Sequence, residues 1–295
     1  MSQPLISVII PFYSQTPGLL LKAATSALSQ SILVEVVVID DASPVSAASE
    51  LSSLLGDPRV KIIRHKVNRH GGIARNTGID NATGEFVAFL DYDDLWYPDK
   101  LEKQLKLFNE KSKNLSDSDK LVIYSRCKII DGKREYIRPV RAILKDEAVG
   151  EYLFCAKQII QTSGIFLKTV TAKSVRFDDL KRHQDYQFCL FLEAQGCMFF
   201  MLDEPSYEFI QIPKLNDYIF SMEWLNFYES CLNNKAVQGF KSLVLIRSMV
   251  SHGHFKKAFI YSLKNKLFLA YFKICSIKFI KKQLFILVLL RDNLE

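Results

Sequence analysis

The chain has 295 residues, 48% of them apolar, and its 39 Lys and Arg exceed 32 Asp and Glu to give a net charge of +7. That suits one large α/β domain, or one domain with an appendage, and no long stretch has the composition of a disordered chain. The six cysteines (127, 155, 189, 197, 231 and 275) form no CxxC pair and no Cys/His group at zinc-ligand spacing, so reduced thiols in a cytosolic protein are expected. The apolar run Leu5 to Ile10 has no basic residue before it and does not read as a secretory signal, and no apolar stretch is long enough for a spanning helix.

Leu5 to Ile10 is a β-branched run that stops at Pro11 and reads as a buried parallel strand. Pro17 opens a helix with Leu19, Leu20, Ala23, Ala24, Ala27 and Leu28 on its inner face. Val34 to Ile39 is a second buried strand, emptying into Asp40-Asp41-Ala42-Ser43. Ala47 to Leu55 reads as helix and Val60 to Arg64 as a third strand. A glycine-opened turn, Asn68 to Gly72, runs into a helix carrying Ala74-Arg75-Asn76-Thr77-Gly78, and Glu85 to Leu90 is a fourth strand. Strands alternating with helices at roughly 25-residue spacing predict a doubly wound parallel sheet, whose ligands bind beyond the carboxyl ends of the strands. Pro11 to Tyr13, Asp40 to Ser43 and Asp91 to Asp94 all lie at such ends and should line one crevice.

The turn Asp91-Tyr92-Asp93-Asp94 puts three carboxylates within four residues. Like charges this close raise each other's pKa values, and a hard divalent cation relieves the repulsion. The competing reading is a solvated turn capping the helix beyond Pro98, a role best suited to Asp94. Asp40 and Asp41 offer acceptors to a base N–H or a ribose hydroxyl, or cap the next helix. GxGxxG is missing from the first βα turn and GxxxxGK[ST] from the whole chain, which disfavours a Rossmann dinucleotide site and a P-loop.

Taken together, Val8-Ile9-Ile10-Pro11-Phe12-Tyr13, Val38-Ile39-Asp40-Asp41-Ala42-Ser43, Ala74-Arg75-Asn76-Thr77-Gly78-Ile79, Gly84 to Asp94 and Trp96 resemble the family 2 glycosyltransferases, in that family's order and over about residues 4 to 210. The resemblance implies the GT-A fold: a Rossmann-like, mostly parallel sheet flanked by helices, over residues 1–212, with a nucleotide-sugar half at 1–115 and an acceptor half at 116–212. By resemblance, Asp40 accepts from a uracil base flanked by Pro11 and Tyr13, with Ser43 beside it. Asp93 ligates Mn²⁺ or Mg²⁺ between the donor phosphates, and Asp91 meets the ribose or the metal's water shell. Arg75 and Asn76 line the diphosphate and sugar.

Inversion in one displacement also needs a base for the acceptor hydroxyl. The family carries it as the Asp of a Glu-Asp pair opening a helix. Arg182-His183-Gln184-Asp185 fits, with Asp185 lying 92 residues beyond Asp93 and Gln184 standing where the family has Glu. The plain alternative is a first-turn acid favoured by the helix dipole, with Asp178 and Asp179 as substitute bases. His183 reads as a site-edge or surface residue, and Trp96 packs behind the metal turn or stacks on an acceptor sugar. Lys120 to Ser125 and Gln161 to Leu167 read as strands, and Glu135 to Leu144 as a loop or hairpin. The processive Gln-x-x-Arg-Trp signature is absent, which points to one sugar per encounter.

From Ser230 to Arg291 there is no Asp or Glu, against twelve Lys or Arg, so the remaining chain carries −5. Residues 213–295 are expected to be helical. From Phe255 onward lysines interleave with Phe, Leu, Ile and Tyr up to Leu284, Phe285 and Ile286. Basic amphipathic helices lie in the plane of anionic membranes, each lysine contributing about 1 kcal/mol. The alternative is a helical pair packing on the catalytic domain, and no nucleic-acid fold is evident. The expectation is therefore an inverting glycosyltransferase, peripheral at the inner face of the cytoplasmic membrane. It would move one sugar from a nucleotide-sugar to a saccharide or lipid-linked acceptor in surface glycan synthesis. A nucleotidyltransferase, or a non-catalytic sugar-nucleotide-binding module, is the alternative. The first of these expects a glycine-rich basic first turn that Pro11-Phe12-Tyr13-Ser14 does not provide.

Overall fold

The computed structural model describes residues 5–113, 115–211 and 218–279. It divides into two compact units, Met1–Val149 with Gln158–Ile212 and Gly150–Lys157 with Pro213–Glu295. Residues 150–157, assigned to the catalytic domain from sequence, thus belong to the C-terminal unit.

The first unit opens with β1 (Ile6–Phe12), α1 (Leu19–Leu28), β2 (Val34–Asp40), α2 (Ala47–Glu50), β3 (Val60–Arg64), α3 (His70–Asn81) and β4 (Phe86–Phe89). These strands are parallel, with β2 between β3 and β1, and β1 between β2 and β4. The Val and Ile side chains of β1 and β2 are buried on both faces, as parallel strands covered by helices require. Contrary to the sequence reading, β1 runs through Pro11. Ile9 accepts from Leu90 N on the β4 side and Phe12 accepts from Asp41 N on the β2 side. Pro11 therefore faces β4, where pairing has already ended at Ile9 with Phe89, and its missing N–H costs no ladder bond.

The second half is mixed. After β5 (Leu95–Trp96) and α4 (Lys100–Ser112) come β6 (Leu121–Asp131) and β7 (Arg134–Arg138), then, past α5 (Val149–Phe154), β8 (Phe166–Lys168), α6 (Thr169–Val175), α7 (Gln184–Ala194) and β9 (Met198–Ile210). The sheet order is β3-β2-β1-β4-β8-β6-β9-β5, with β7 hairpinned onto β6. Pairing is antiparallel for β4–β8, β6–β8, β5–β9 and β6–β7, and parallel for β6–β9. The predicted strand Gln161 to Leu167 resolves into a 3₁₀ turn, Thr162–Gly164, and the short β8. Sequence reading missed β9. Asp203, Glu204 and Pro205 interrupt its alternation, and the register with β6 shifts at Arg126 opposite Pro205.

In the second unit, α5 packs through Phe154 against Trp224 of α8 (Tyr218–Tyr228) and Phe240 of α9 (Asn234–Phe240), with ring centroids 6.5 and 5.0 Å away. A π-helical stretch, Lys241–Ile246, leads into α10 (Arg247–Ser251) and α11 (Phe255–Lys264), and residues 268–279 are again helical. Ile246, Met249, Val250 and Ala258 form a small core with Leu267, Tyr271 and Ile274 against it. The other face exposes Phe259, Ile260, Leu263, Phe268, Leu269, Phe272 and Ile277 among exposed Lys256, Lys264, Lys266 and Lys273. Lys281, Lys282, Leu284, Phe285, Ile286 and Arg291, part of the predicted amphipathic tail, lie outside the described residues. No helix among the described residues is long and apolar enough to cross a membrane.

α3 lies so close to β1 that a Cβ on Gly78 would fall 2.3 Å from Ile9 Cγ2. Gly78→Ala should therefore cost about 1–3 kcal/mol through overpacking. Urea unfolding with an unchanged midpoint would contradict this contact.

Candidate active site

Because β1, β2 and β4 are parallel, their carboxyl ends fall on one edge of the sheet, and the polar residues after each strand meet there. Tyr13 is 43% exposed on this edge. Behind it the chain is tied down. Ser14 N donates to Ser43 Oγ and Ser43 Oγ donates to Ser14 O, both at 3.0 Å, locking the ends of β1 and β2 together. Asp40 is 1% exposed and accepts from Ser43 N at 2.8 Å, Ala47 N at 2.9 Å and the Arg64 guanidinium. Pro11, Asp40 and Ser43, expected at the base, thus hold the crevice wall from within. Asp40 anchors α2 through Ala47 N and the β2 end through Ser43 N. Asp41 accepts from Arg69 N at 2.9 Å and pairs with His65 Nδ1 at 2.7 Å, fixing the loop into α3.

α3 supplies the join. Arg75 is buried, and its Nη2 donates to Asp91 Oδ1 and, at 3.2 Å, to Thr162 Oγ1. Its Nη1 donates to Gln184 Oε1 at 2.7 Å, and the guanidinium carbon lies 5.5 Å from the Phe177 ring centre. Asn76, expected on the donor, instead clamps the chain ahead of α7. Its Nδ2 donates to Phe177 O at 2.7 Å and its Oδ1 accepts from Phe177 N at 2.9 Å. Gly72 allows this approach, since a Cβ there would lie 2.5 Å from Asp178 O.

The acidic turn divides its carboxylates. Asp91 and Asp93 are half-buried. Asp91 is held by Arg75, by Thr162 Oγ1 at 3.3 Å, and through its own N–H to Ser163 Oγ at 3.0 Å. Asp94, expected to cap the next helix, does not. α4 begins at Lys100 after Asp99, while Asp94 is 3% exposed. Neither of its oxygens meets a donor in hydrogen-bonding geometry. Burial and then the Asp91 charge push its pKa well above the usual carboxylate range, and the nearby Ser163 hydroxyl offsets only part of this. Trp96 packs beneath the turn, donating from Nε1 to Ser163 O at 3.0 Å, with Lys100 Nζ 3.9 Å from the ring centre. It is not available to stack on a sugar.

Asp185 is the second residue of α7. An acid in a helix's first turn is ordinarily stabilised as the anion, and the N–H groups of Asp185 and Tyr186 do act that way, but burial outweighs them and raises its pKa to about 6. The Arg75 charge also lowers it and that of Asp91 raises it, so residues distant in sequence share one electrostatic site. His183, expected at the site edge or the surface, is buried with φ of 62° ahead of α7 and stacks on Tyr186 at 5.1 Å, so the surface reading does not hold. Burial and the Arg182 charge lower its pKa to about 3, so it stays neutral.

A sequence profile described as "Glycosyl transferase family 2" matches residues 7–181. The chain belongs to this family. It is 31% identical over 252 residues to the amylovoran biosynthesis glycosyltransferase AmsB of Erwinia amylovora, covering 81% of this chain and 82% of that one. It is 46% identical over 101 residues to the succinoglycan biosynthesis protein ExoW of Rhizobium meliloti, about a third of each chain. Among solved structures, S. aureus TarS 1–349 in complex with UDP-GlcNAc superposes with a TM-score of 0.56 at 20% identity, over 93% of this chain and 79% of that one. The fold is GT-A-like and the chain is a glycosyltransferase.

Glycosyltransferases of this family draw on a divalent cation, and the acidic turn offers it hard carboxylate oxygens, which suit Mg²⁺ or Mn²⁺. Among the described residues no three His, Cys, Asp or Glu converge into a self-sufficient cage. The buried oxygens of Asp94, beside Asp91 and Asp93 and without a hydrogen-bond partner among the described residues, are acceptors that such an ion would serve. Sequence reasoning missed Thr162, Ser163 and the clamp at Phe177. The only signal was that Gln161 to Gly164 is polar inside a run read as strand.

Folding holds the Asp185 proton more tightly, raising its pKa from 3.8 to about 6. The resulting cost to stability is absent below about pH 4, grows up to about pH 6 and then stays constant. Asp185→Asn should therefore be more stable than wild type at pH 7.5, by roughly 1–2 kcal/mol for a half-buried group, and no more stable at pH 4. Matched melting curves at both pH values would show that the carboxyl is not enclosed.

Proposed function

We propose that this glycosyltransferase moves one sugar, with inversion, from a UDP-sugar to a saccharide or lipid-linked acceptor during surface polysaccharide synthesis. The observation that carries this reading is the Arg75 guanidinium, which joins the acidic turn at Asp91 to the helix of Asp185. Two relatives named for amylovoran and succinoglycan biosynthesis support the pathway class, and a fold neighbour solved with UDP-GlcNAc supports the donor class.

Tyr13 offers an aromatic face to the base at the end of β1. Arg75 holds Asp91 in place and puts a positive charge beside the acidic turn, where it would help offset the charge of the diphosphate. Asp185, with a pKa near 6, is largely ionised at neutral pH and basic enough to take the acceptor hydroxyl proton. The acceptor oxygen bonds to the anomeric carbon as the bond to the diphosphate breaks, and the electron pair leaves on the β-phosphate oxygen. A cation bound through Asp93 would supply electrostatic stabilisation of that leaving charge. Turnover requires the anion of Asp185, so it should rise as pH passes upward through about 6.

Asp93→Ala should abolish Mn²⁺-dependent UDP binding, read by calorimetry. Asp185→Asn should keep UDP affinity while losing at least about 100-fold in UDP release from the donor. Unchanged affinity in the first variant removes the metal role, and normal turnover in the second moves the base elsewhere.

The C-terminal unit gives this enzyme a means of reaching a lipid-linked acceptor. Its exposed aromatic and aliphatic side chains alternate with lysines, the composition that seats a helix in an anionic interface. Removing residues 255–295 should release the protein from phosphatidylglycerol-containing liposomes. Equal flotation of the two forms would refute the membrane surface.

A further inference from the structure

Gln184 stands between the two halves of the site, and both ends of its amide are used. Oε1 accepts from Arg75 Nη1 at 2.7 Å, and Nε2 donates to Leu180 O in the segment before α7. A carboxylate could satisfy the first contact but not the second, because it has no proton to give a carbonyl. The site is also shaped for this side chain. A Cβ on Gly71 would lie 2.9 Å from Gln184 Oε1 and 3.0 Å from Arg75 Nη1, so α3 keeps a glycine where the amide and guanidinium meet.

We propose that Gln184 is a positioning residue, whose two-sided amide fixes Asp185 against the Arg75–Asp91 pair through a contact that carries no charge. The inference rests on Asp185 being the base. Charged groups reach Asp185 from two other elements, Arg75 on α3 and Asp91 on the turn after β4, while its own helix adds the Tyr186 N–H and the Cys189 thiol one turn on. Arg75 has one carboxylate partner, Asp91, and meets Gln184 as a neutral acceptor. A second carboxylate at position 184 would neutralise the arginine and adjoin Asp185 directly. Both effects favour protonated Asp185, so the amide keeps the base ionised at neutral pH.

The test uses the full chain with ¹³C-labelled aspartate carboxyls, the Asp185 signal being the one lost in Asp185→Asn. Its titration midpoint should lie near 6 in wild type and rise by roughly half to one pH unit in Gln184→Glu. Gln184→Ala should leave the midpoint no higher, yet lower kcat for UDP release about tenfold with the donor KM within about threefold, because Arg75 has lost one anchor. Gly71→Ala, which displaces the amide without removing it, should reproduce the kcat loss. An unshifted or lower midpoint in Gln184→Glu, or wild-type kcat in Gln184→Ala, would overturn the proposal. Should wild type release UDP from no nucleotide sugar, the functional reading fails, and the carboxyl titration still decides the role of Gln184.

Discussion

A buried guanidinium needs a counter-charge and acceptors for its donors, and both terminal nitrogens of Arg75 find them on segments far apart in the chain, while its Nε meets no acceptor among the described residues. Asp91 supplies the charge, Thr162 and Gln184 supply neutral oxygens, and the Phe177 ring lies against its face. Losing any one partner would leave part of a cation desolvated, which costs several kcal/mol when uncompensated. The arrangement therefore acts as a constraint on the fold as well as on the site. It requires α3, the turn after β4, the 3₁₀ turn before β8 and the start of α7 to come together in one way. The glycines at 71 and 72 and the Asn76 clamp on Phe177 serve the same constraint by letting α3 and the α7 approach touch without intervening side chains.

The same low-dielectric surroundings sort the acids by task. Asp40 and Asp41 are buried but surrounded by N–H donors and a cation or histidine, so they organise loops. Asp94 is buried with neither oxygen in hydrogen-bonding geometry among the described residues, and burial beside Asp91 raises its pKa and favours its neutral form. Asp185 lies between these extremes. Backbone N–H groups and Arg75 offset part of its desolvation and leave its pKa near 6, where a carboxylate is both ionised and basic at neutral pH. One residue type thus meets three environments, set by the donors around each copy, and the proposed mechanism assigns proton transfer to the one at position 185.

The C-terminal unit follows a different logic. Its core is small and aromatic, built on Phe154, Trp224 and Phe240 in one part and on Ile246, Met249 and Val250 in another. A core of that size does not cover the apolar stripes of α11 and residues 268–279, which leaves rings and lysines together at the surface.

The sequence by itself determined the parallel half of the sheet, because Val- and Ile-rich runs ending in Pro or Asp admit few other readings, and it determined which strand-ends carry acids. The resemblance to the family singled out Asp185 as the candidate base. What it could not decide was direction. Asp40, Ser43 and Asn76 are polar residues in the right segments, yet their side chains turn inward to hold loops, and only the tertiary hydrogen bonds reveal that. Asp94 read as a cap because a cap is a local structure, whereas its enclosure depends on strands and turns from later in the chain. β9 and the Thr162–Gly164 turn were hidden because their pairing is long-range and their local patterns are broken by charge and proline. Tertiary structure alone decided that Arg75, which holds Asp91, reaches Gln184 109 residues further along the chain, since that contact follows from packing and leaves no periodicity in the chain.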